Sequence, residues 1–461
     1  MEQRQKISSE EFRTGPIWQT IFKVSLPVAF GNLVQASFNI VDGVFLSKLS
    51  ETALTATSLS FSVQMLLVAF VSGLATGMNS VFSRKLGERK KEEAGNILIT
   101  AYLLCALFSF IYILFGIFLV RPFFASFTDD ETVIELGVEY LSLTTILYFP
   151  SAFTTMLERT LQATNNSSYS FISHFAAIAV NFVLDPVLIF GFGDYQGLGI
   201  RGAALATVIS QFFSFVISLY FNLKNNRIYL PEKGEMQVKL QYVKEIYSVA
   251  LPVTIMSAIG TFMTYGVNKV LISFSPTAVA FFGLYYKLQM FVFMPIYAFG
   301  GSLVSLVAYN YGSKDYERAK QFRNKTILVN VGVGVFGMLL FIIIPGKLLS
   351  LFNPSEEMIE FGIPSLRIIS LIFPIEPVCT TLGFSFQGFG RGDYSLYHSV
   401  VRQLFLRVPF CYLFGKWFGL DYVWYSFLLA EVIAFVITIS MSRRIDHNLD
   451  TYGSSRAPGI V

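Results

Sequence analysis

The chain has 461 residues, 54% of them hydrophobic and 14% charged, with a net charge of +4. A soluble domain carries roughly 25% charged residues, so this composition excludes an ordinary soluble globular protein. The small positive balance lies in particular loops and offers no footing for nucleic acid.

Apolar runs long enough to cross a bilayer, about 20 residues, recur from end to end. Twelve are predicted, near 17–42, 54–82, 94–119, 133–157, 167–192, 200–223, 243–272, 277–308, 324–346, 359–383, 394–416 and 420–442. Backbone that crosses lipid must be helix or closed barrel, and these runs lack the alternation of barrel strands. The predicted fold is an all-α polytopic membrane protein, with twelve transmembrane helices in two six-helix bundles related by a parallel internal repeat. The segments are a cytoplasmic N-terminal stretch 1–16, an N-lobe 17–223, a cytoplasmic linker 224–242, a C-lobe 243–444 and a cytoplasmic tail 445–461.

In chain order, residues 1–16 are polar and mixed in charge, which is not the pattern of a cleavable signal. Span 1 carries Pro27, then Asn32, Gln35, Asn39 and Asp42 at spacings of 3, 4 and 3, so four polar side chains share one helical face. Arg84, Lys85, Arg89, Lys90 and Lys91 follow span 2. Span 5 places Asn181 and Asp185 four apart, and span 6 does the same with Ala203 and Thr207. The linker is basic again, with Lys224, Arg227, Lys233 and Lys239. Span 7 repeats the proline of span 1 as Pro252, where a missing backbone hydrogen bond kinks a helix. Span 8 contains Lys287 and is followed by Lys314, Arg318, Lys320, Arg323 and Lys325. Span 10 holds Glu376 between Pro374 and Pro377, span 11 holds Arg402 and Arg407, and span 12 holds Glu431. From about His447 the chain reads as a short disordered tail. The basic residues fall in alternate loops, so the positive-inside rule puts both termini in the cytoplasm. Cys105, Cys379 and Cys411 lie in apolar spans without metal-like spacing and read as packing.

The two halves align at a constant offset of 225 residues. Leu26-Pro27-Val28 matches Leu251-Pro252-Val253, Gln64-Met65 matches Gln289-Met290, Gly87 matches Gly312, Gln162 matches Gln387, and Tyr169-Ser170 matches Tyr394-Ser395. Six spans per half is an even number, so both halves enter the membrane in the same sense, with a transport path between two bundles. The acids break the symmetry, because the counterparts of Asp42 and Asp185 are Val267 and Phe410.

A charge at the bilayer centre costs about 2.5–3.5 kcal/mol on insertion scales, so acids there face protein or water and handle ions or protons. A Na⁺ site needs roughly five or six oxygens, which carboxylates, an amide, a hydroxyl and a helix carbonyl supply; a proton needs the acids alone. Asp42, Asn181, Asp185 and Thr207, with the Ala203 turn, are therefore the candidate H⁺ or Na⁺ site. Glu376 is a second protonatable candidate. Lys269, Arg402 and Arg407 are expected to snorkel to an interface, Lys287 has a claim to a cavity, and His174 and His398 read as hydrogen-bonded packing. The aromatic walls suit flat lipophilic cations. No metalloprotease, nucleophile-elbow or Walker motif is present, so the chain reads as neither an enzyme nor an ATP-driven pump.

The chain resembles the multidrug and toxic compound extrusion (MATE) transporters, in particular the DinF-like branch. The resemblance rests on Leu26-Pro27 with Asn39-Ile-Val-Asp42, Arg84-Lys85-Leu86-Gly87, Leu161-Gln162-Ala163-Thr164, Asn181-Phe-Val-Leu-Asp185-Pro186, and Gly197 through Thr207. It covers Ile17 to about Arg444. It implies an antiporter of the cell membrane that exports organic cations against inward H⁺ or Na⁺, working as a monomer in lipid. In that branch the coupling ion sits on the acids that match Asp42 and Asp185, with Gln35, Asn181, Tyr140 and Thr207 around them; Gln35, Asn39 and Tyr140 would then line the cavity. The NorM-like branch instead uses an acid about where Glu376 stands. Thr155 and Glu158 depart from the family pattern. A flippase for a lipid-linked precursor, from the same superfamily, is the alternative.

Overall fold

Only a helix satisfies all of its own backbone hydrogen bonds within one segment crossing lipid, and this chain is helical almost throughout. The structure, a computed structural model, describes residues 10–193, 195–231, 236–352 and 354–454, with the side chains of all of these except 35–48, 51, 54, 195 and 452–454. The first half comprises α1 (Ile17–Leu49), α2 (Glu51–Gly87), α3 (Lys91–Phe118), the short α4 (Val120–Ala125), α5 (Glu131–Ile146), α6 (Phe149–Ala163), α7 (Ser167–Phe190) and α8 (Ile200–Asn225). A two-residue antiparallel hairpin, β1 (Gly191–Phe192) with β2 (Tyr195–Gln196), joins α7 to α8. The second half comprises α9 (Leu240–Leu271), α10 (Pro276–Gly312), α11 (Tyr316–Ile343), α12 (Pro345–Ser350), α13 (Glu356–Ser370), α14 (Glu376–Gly388), α15 (Gly392–Val400), α16 (Val408–Phe418) and α17 (Leu420–Ser454). A π-helical turn, Val401–Arg407, connects α15 to α16.

Several starts are written in the sequence as capping residues. Asp130 accepts from the N–H groups of Thr132 and Val133, and Ser275, Asp315 and Ser355 do the same for α10, α11 and α13. The repeat is visible in the backbone itself. Adding 225 to the bounds of α2, α3 and α4 gives the bounds of α10, α11 and α12. Arg89 and Lys314, 225 apart, both adopt φ of 61°, and Asn165 and Gly390 adopt 60° and 75°.

Among the described residues, eight helices are long and apolar enough to cross a membrane, and α5 with α6 counts as a ninth span bent by 44°. The expected fourth span is therefore two helices, broken at Leu147–Tyr148 just before Pro150. The tenth span is also broken: α13 ends at Ser370 and α14 begins at Glu376, across a turn containing Pro374. The eleventh runs through α15, the π turn and α16. Pro27 and Pro252 sit at matching places inside α1 and α9.

The chain divides into two compact units. One holds the described residues up to Glu11, Lys23–Leu86 and Lys90–Ala250; the other holds Phe12–Phe22, Gly87–Arg89 and the chain from Leu251 onward. Lipid supplies no hydrophobic drive between helices, so packing contacts and close approach hold each unit together. In the first unit α7 lies against α8, and a Cβ on Gly202 would come within 2.1 Å of the Leu188 carbonyl oxygen. Only glycine permits that approach. The core of the second unit is aromatic: Phe281 meets Trp424 edge-on at 5.0 Å, and Phe341 meets Phe373 at 5.0 Å. There a Cβ on Gly334 would fall 2.0 Å from the Phe373 carbonyl oxygen, so α11 presses directly on the turn that precedes Glu376.

Candidate functional site

In the first unit, α7 buries one stripe: Ser167, Ser170, Ser173, Ala177, Asn181, Asp185 and Ile189. The spacing of three and four that the sequence shows is thus an inward face. At its far end Asp185 is fully buried, and the Asn181 amide donates to its Oδ1 at 2.8 Å. On α8 the half-buried Thr207 hydroxyl donates to the carbonyl of Ala203 at 3.1 Å. Ala203 and Tyr140 share one buried cluster with Ile189 and Ile200, which joins α5, α7 and α8 one turn along α7 from Asp185. The Asn181–Asp185 pair on α7 and the Thr207–Ala203 pair on α8 supply a carboxylate, an amide, a hydroxyl and a helix carbonyl, donor types that suit a proton or a hard monovalent cation. Gln35, Asn39 and Asp42 fall in α1, but their side chains lie outside the described residues.

The second unit holds a cluster that sequence reasoning did not assemble. Arg402 and Arg407 were expected to snorkel; instead both are buried and paired inside the unit. Arg402 Nη1 donates to Glu376 Oε1 at 3.2 Å and to Glu431 Oε1 at 3.3 Å. Arg407 Nη2 donates to Glu431 Oε2 at 3.0 Å. Gln289 Nε2 reaches Glu376 Oε2 at 3.4 Å. Arg407 also lies over the ring of Phe427 at 5.1 Å. Arg402 stands ten residues into the run Gly392–Phe418, and Glu431 eleven into α17. At 1.5 Å per residue these are depths of about 15 Å and 16 Å, near the middle of a core about 30 Å thick. Unpaired, such charges would be prohibitive there; paired, two acids and two bases neutralise one another.

The local backbone explains why α-helical reasoning overlooked this. Residues five apart on an α-helix point to different sides, whereas i→i+5 bonding in a π turn brings them into line. The signal available in the sequence was compositional: Glu376, Arg402, Arg407 and Glu431 all lie well inside the apolar runs of spans 10 to 12. The 225-residue counterparts of Glu376, Arg402, Arg407 and Glu431 are Ser151, Ala177, Phe182 and Ala206. Each half therefore carries its own charge chemistry on a shared backbone plan.

The remaining candidates separate cleanly. His398 bonds through Nδ1 to Thr438 Oγ1 at 2.6 Å and is packing, as expected. His174 Nδ1 lies 3.7 Å from Glu158. Lys269 and Lys287 are exposed. Among the described residues, no three His, Cys, Asp or Glu side chains gather as a metal cage.

The model of the family described as MatE matches twice, over residues 27–187 and 252–413, two stretches that begin 225 residues apart. The chain belongs to the MatE family. As a MatE transporter it is similar to a FAD transporter of Shewanella oneidensis, 25% identical over 404 residues, spanning 86% of this chain and 88% of that one. It is also similar to the multidrug export protein MepA of Staphylococcus aureus, 24% identical over 436 residues, spanning 91% and 92%. Among solved structures, a MATE in the bent conformation superposes with a TM-score of 0.90 at 23% identity, covering 97% of this chain and 99% of that one. The MatE chain is thus an integral membrane transporter, not an enzyme, and its twelve spans are those of the family's repeated six-helix plan.

Proposed function

We propose that this MatE transporter exports lipophilic organic cations by antiport against H⁺ or Na⁺, with the coupling ion held at Asp42, Asn181, Asp185 and Thr207 beside the Ala203 carbonyl. The observation that carries the reading is the fully buried Asp185, bonded to Asn181 and given no counterpart in the second half. An architectural carboxylate would repeat with the fold; one that handles an ion need not. The multidrug export name of the MepA relative supports a broad cargo.

In this mechanism a cationic drug and the coupling ion compete for the same negative charge. Cargo binds against Gln35, Asn39 and Tyr140 while the acids are ionised. Arrival of H⁺ or Na⁺ from outside neutralises them and expels the cargo, and the neutral site returns inward. Pro27 and Pro252 supply bends at which α1 and α9 change shape. Glu376 serves as a second protonatable group in the C-lobe. The transporter works as one chain in the cell membrane, with both termini cytoplasmic, an orientation supported by the arginine- and lysine-rich loops.

The test is ethidium efflux from proteoliposomes under an imposed pH or Na⁺ gradient, comparing wild type with Asp185→Asn. Gradient-driven efflux in wild type, lost in the variant, is expected. Efflux by the variant at the wild-type rate rejects the site. No efflux by folded wild type under either gradient moves the assignment to the flippase reading.

A further inference from the structure

The C-lobe cluster pairs two acids with two bases, yet its donors are not used up. Arg402 makes both of its ion pairs through one nitrogen, Nη1, and Arg407 makes its own through Nη2. The Nε atoms of both arginines are buried without a hydrogen-bond partner. A guanidinium presents Nε and Nη2 as a fork matched to the two oxygens of a carboxylate or phosphate; on Arg402 neither arm of that fork makes an ion pair, and on Arg407 the Nε arm is unused.

The two acids are held differently. Glu431 is fully buried and receives an arginine on each oxygen. Glu376 receives only Arg402 on one oxygen and a long contact from Gln289 on the other. It also sits in the first turn of α14, beside the break in its span. Arg402 is the least buried member, keeping 9% of its surface, and Tyr297, within electrostatic range of Arg402 and Glu376, is 40% exposed.

We propose that Arg402 and Arg407 form a binding site for an anionic group, a carboxylate or phosphate ester, which displaces Glu376 from Arg402 when Glu376 takes up a proton. Glu431 stays in place as the permanent counter-ion. Protonating Glu376 leaves the cluster with one net positive charge, which favours an anionic ligand, so anion and proton bind together. No bond is broken in the step; a proton enters from solvent and an ion pair is exchanged. The groups facing Glu376 are Arg402 and Arg407 from the π turn, Glu431 from α17, and Tyr285, Tyr286 and Tyr297 from α10, with Cys379 on its own helix. The site is separate from the N-lobe carboxylates and does not depend on the antiport reading.

The experiment measures equilibrium binding of riboflavin and of riboflavin 5′-phosphate, which differ only by the phosphate, to the full chain in phosphatidylcholine nanodiscs. Flavin fluorescence gives the readout, and no gradient is applied, so failure here leaves the efflux test untouched. Riboflavin phosphate is expected to bind at least about tenfold tighter than riboflavin, the scale of one charge-assisted hydrogen bond. Between pH 7.5 and 9, where the phosphate charge is constant, that preference is expected to fall by up to about tenfold per pH unit, the slope for one proton taken up. Glu376→Gln is expected to keep the preference and lose the pH dependence. The charge-matched double variant Arg402→Gln/Glu376→Gln, which strands no acid beyond those Arg407 still serves, is expected to bind both flavins alike. Equal affinities in wild type overturn the proposal, as does a preference that persists unchanged in the double variant. Loss of flavin phosphate binding in phosphatidylglycerol nanodiscs would support the anion site and identify its occupant as a lipid headgroup.

Discussion

Arg402 and Arg407, five residues apart on a π-helical turn, both donate to the single carboxylate of Glu431, at 3.3 Å and 3.0 Å. One buried acid therefore holds two buried bases, and Glu376 shares only the first of them.

That inequality predicts unequal damage. Glu431→Gln leaves both arginines short of charge, and breaking a buried pair from one side costs about 3–5 kcal/mol. Glu376→Gln removes one of two acids from Arg402 alone and is expected to cost distinctly less. Thermal unfolding of the two variants in the same detergent checks the order. Equal losses would show that the cluster acts as one undivided unit.

In the N-lobe, Asn181 orients Asp185 through the 2.8 Å bond from its amide. Asn181→Ala is expected to weaken gradient-driven efflux, by about tenfold, the scale of one charge-assisted hydrogen bond. Asp185→Asn is expected to abolish it, with both proteins inserted normally. Initial efflux rates at matched protein content decide this; an Asn181→Ala rate equal to wild type would remove Asn181 from the site.

Gly202 is the clearest steric test of how α7 meets α8. Its Cβ would stand 2.1 Å from the Leu188 carbonyl oxygen, which is backbone and has no rotamer to yield. Gly202→Ala is expected to force the helices apart and to cost about 1–3 kcal/mol, as overpacking does. Transport should fall as well, because Asp185 is one turn from Leu188. A thermal midpoint within error of wild type would mean that the two helices relax freely.

The first turn of α3, ahead of the apolar run that begins near residue 94, provides a pH test. Burial raises the Glu93 carboxyl, but its bonds and charge contacts to Lys85 and Lys90 outweigh that and hold it below its ordinary value of 4.5. A folded value below the unfolded one stabilises the fold above pH 4.5, and the contribution disappears as pH falls through the lower folded value. The Glu93 side chain is 37% exposed, so screening limits the effect to under about 1 kcal/mol. Comparing unfolding of wild type and Glu93→Gln from pH 3 to pH 7 should show a small gap that closes toward the acid end and shrinks in high salt. A gap that widens in acid would reverse the sign.

The sequence by itself determined what depends on neighbours along the chain. Apolar runs of bilayer length and capping residues act locally, and the 225-residue repeat is written in the order of residues, so the helical plan and the family were legible in the sequence. The inward face of α7 was legible for the same reason, since three- and four-residue spacing is a property of one helix. What only the tertiary structure decided is where charges on different helices meet. Arg402, Arg407, Glu376 and Glu431 come from three spans, and two of those spans depart from regular α-helix at the site: the break before α14 and the π turn. A charge in an apolar run reads the same whether it leans to the interface or pairs in the core. The choice is made by the partners that folding delivers, because an ion pair at mid-membrane is stable only when both members arrive together.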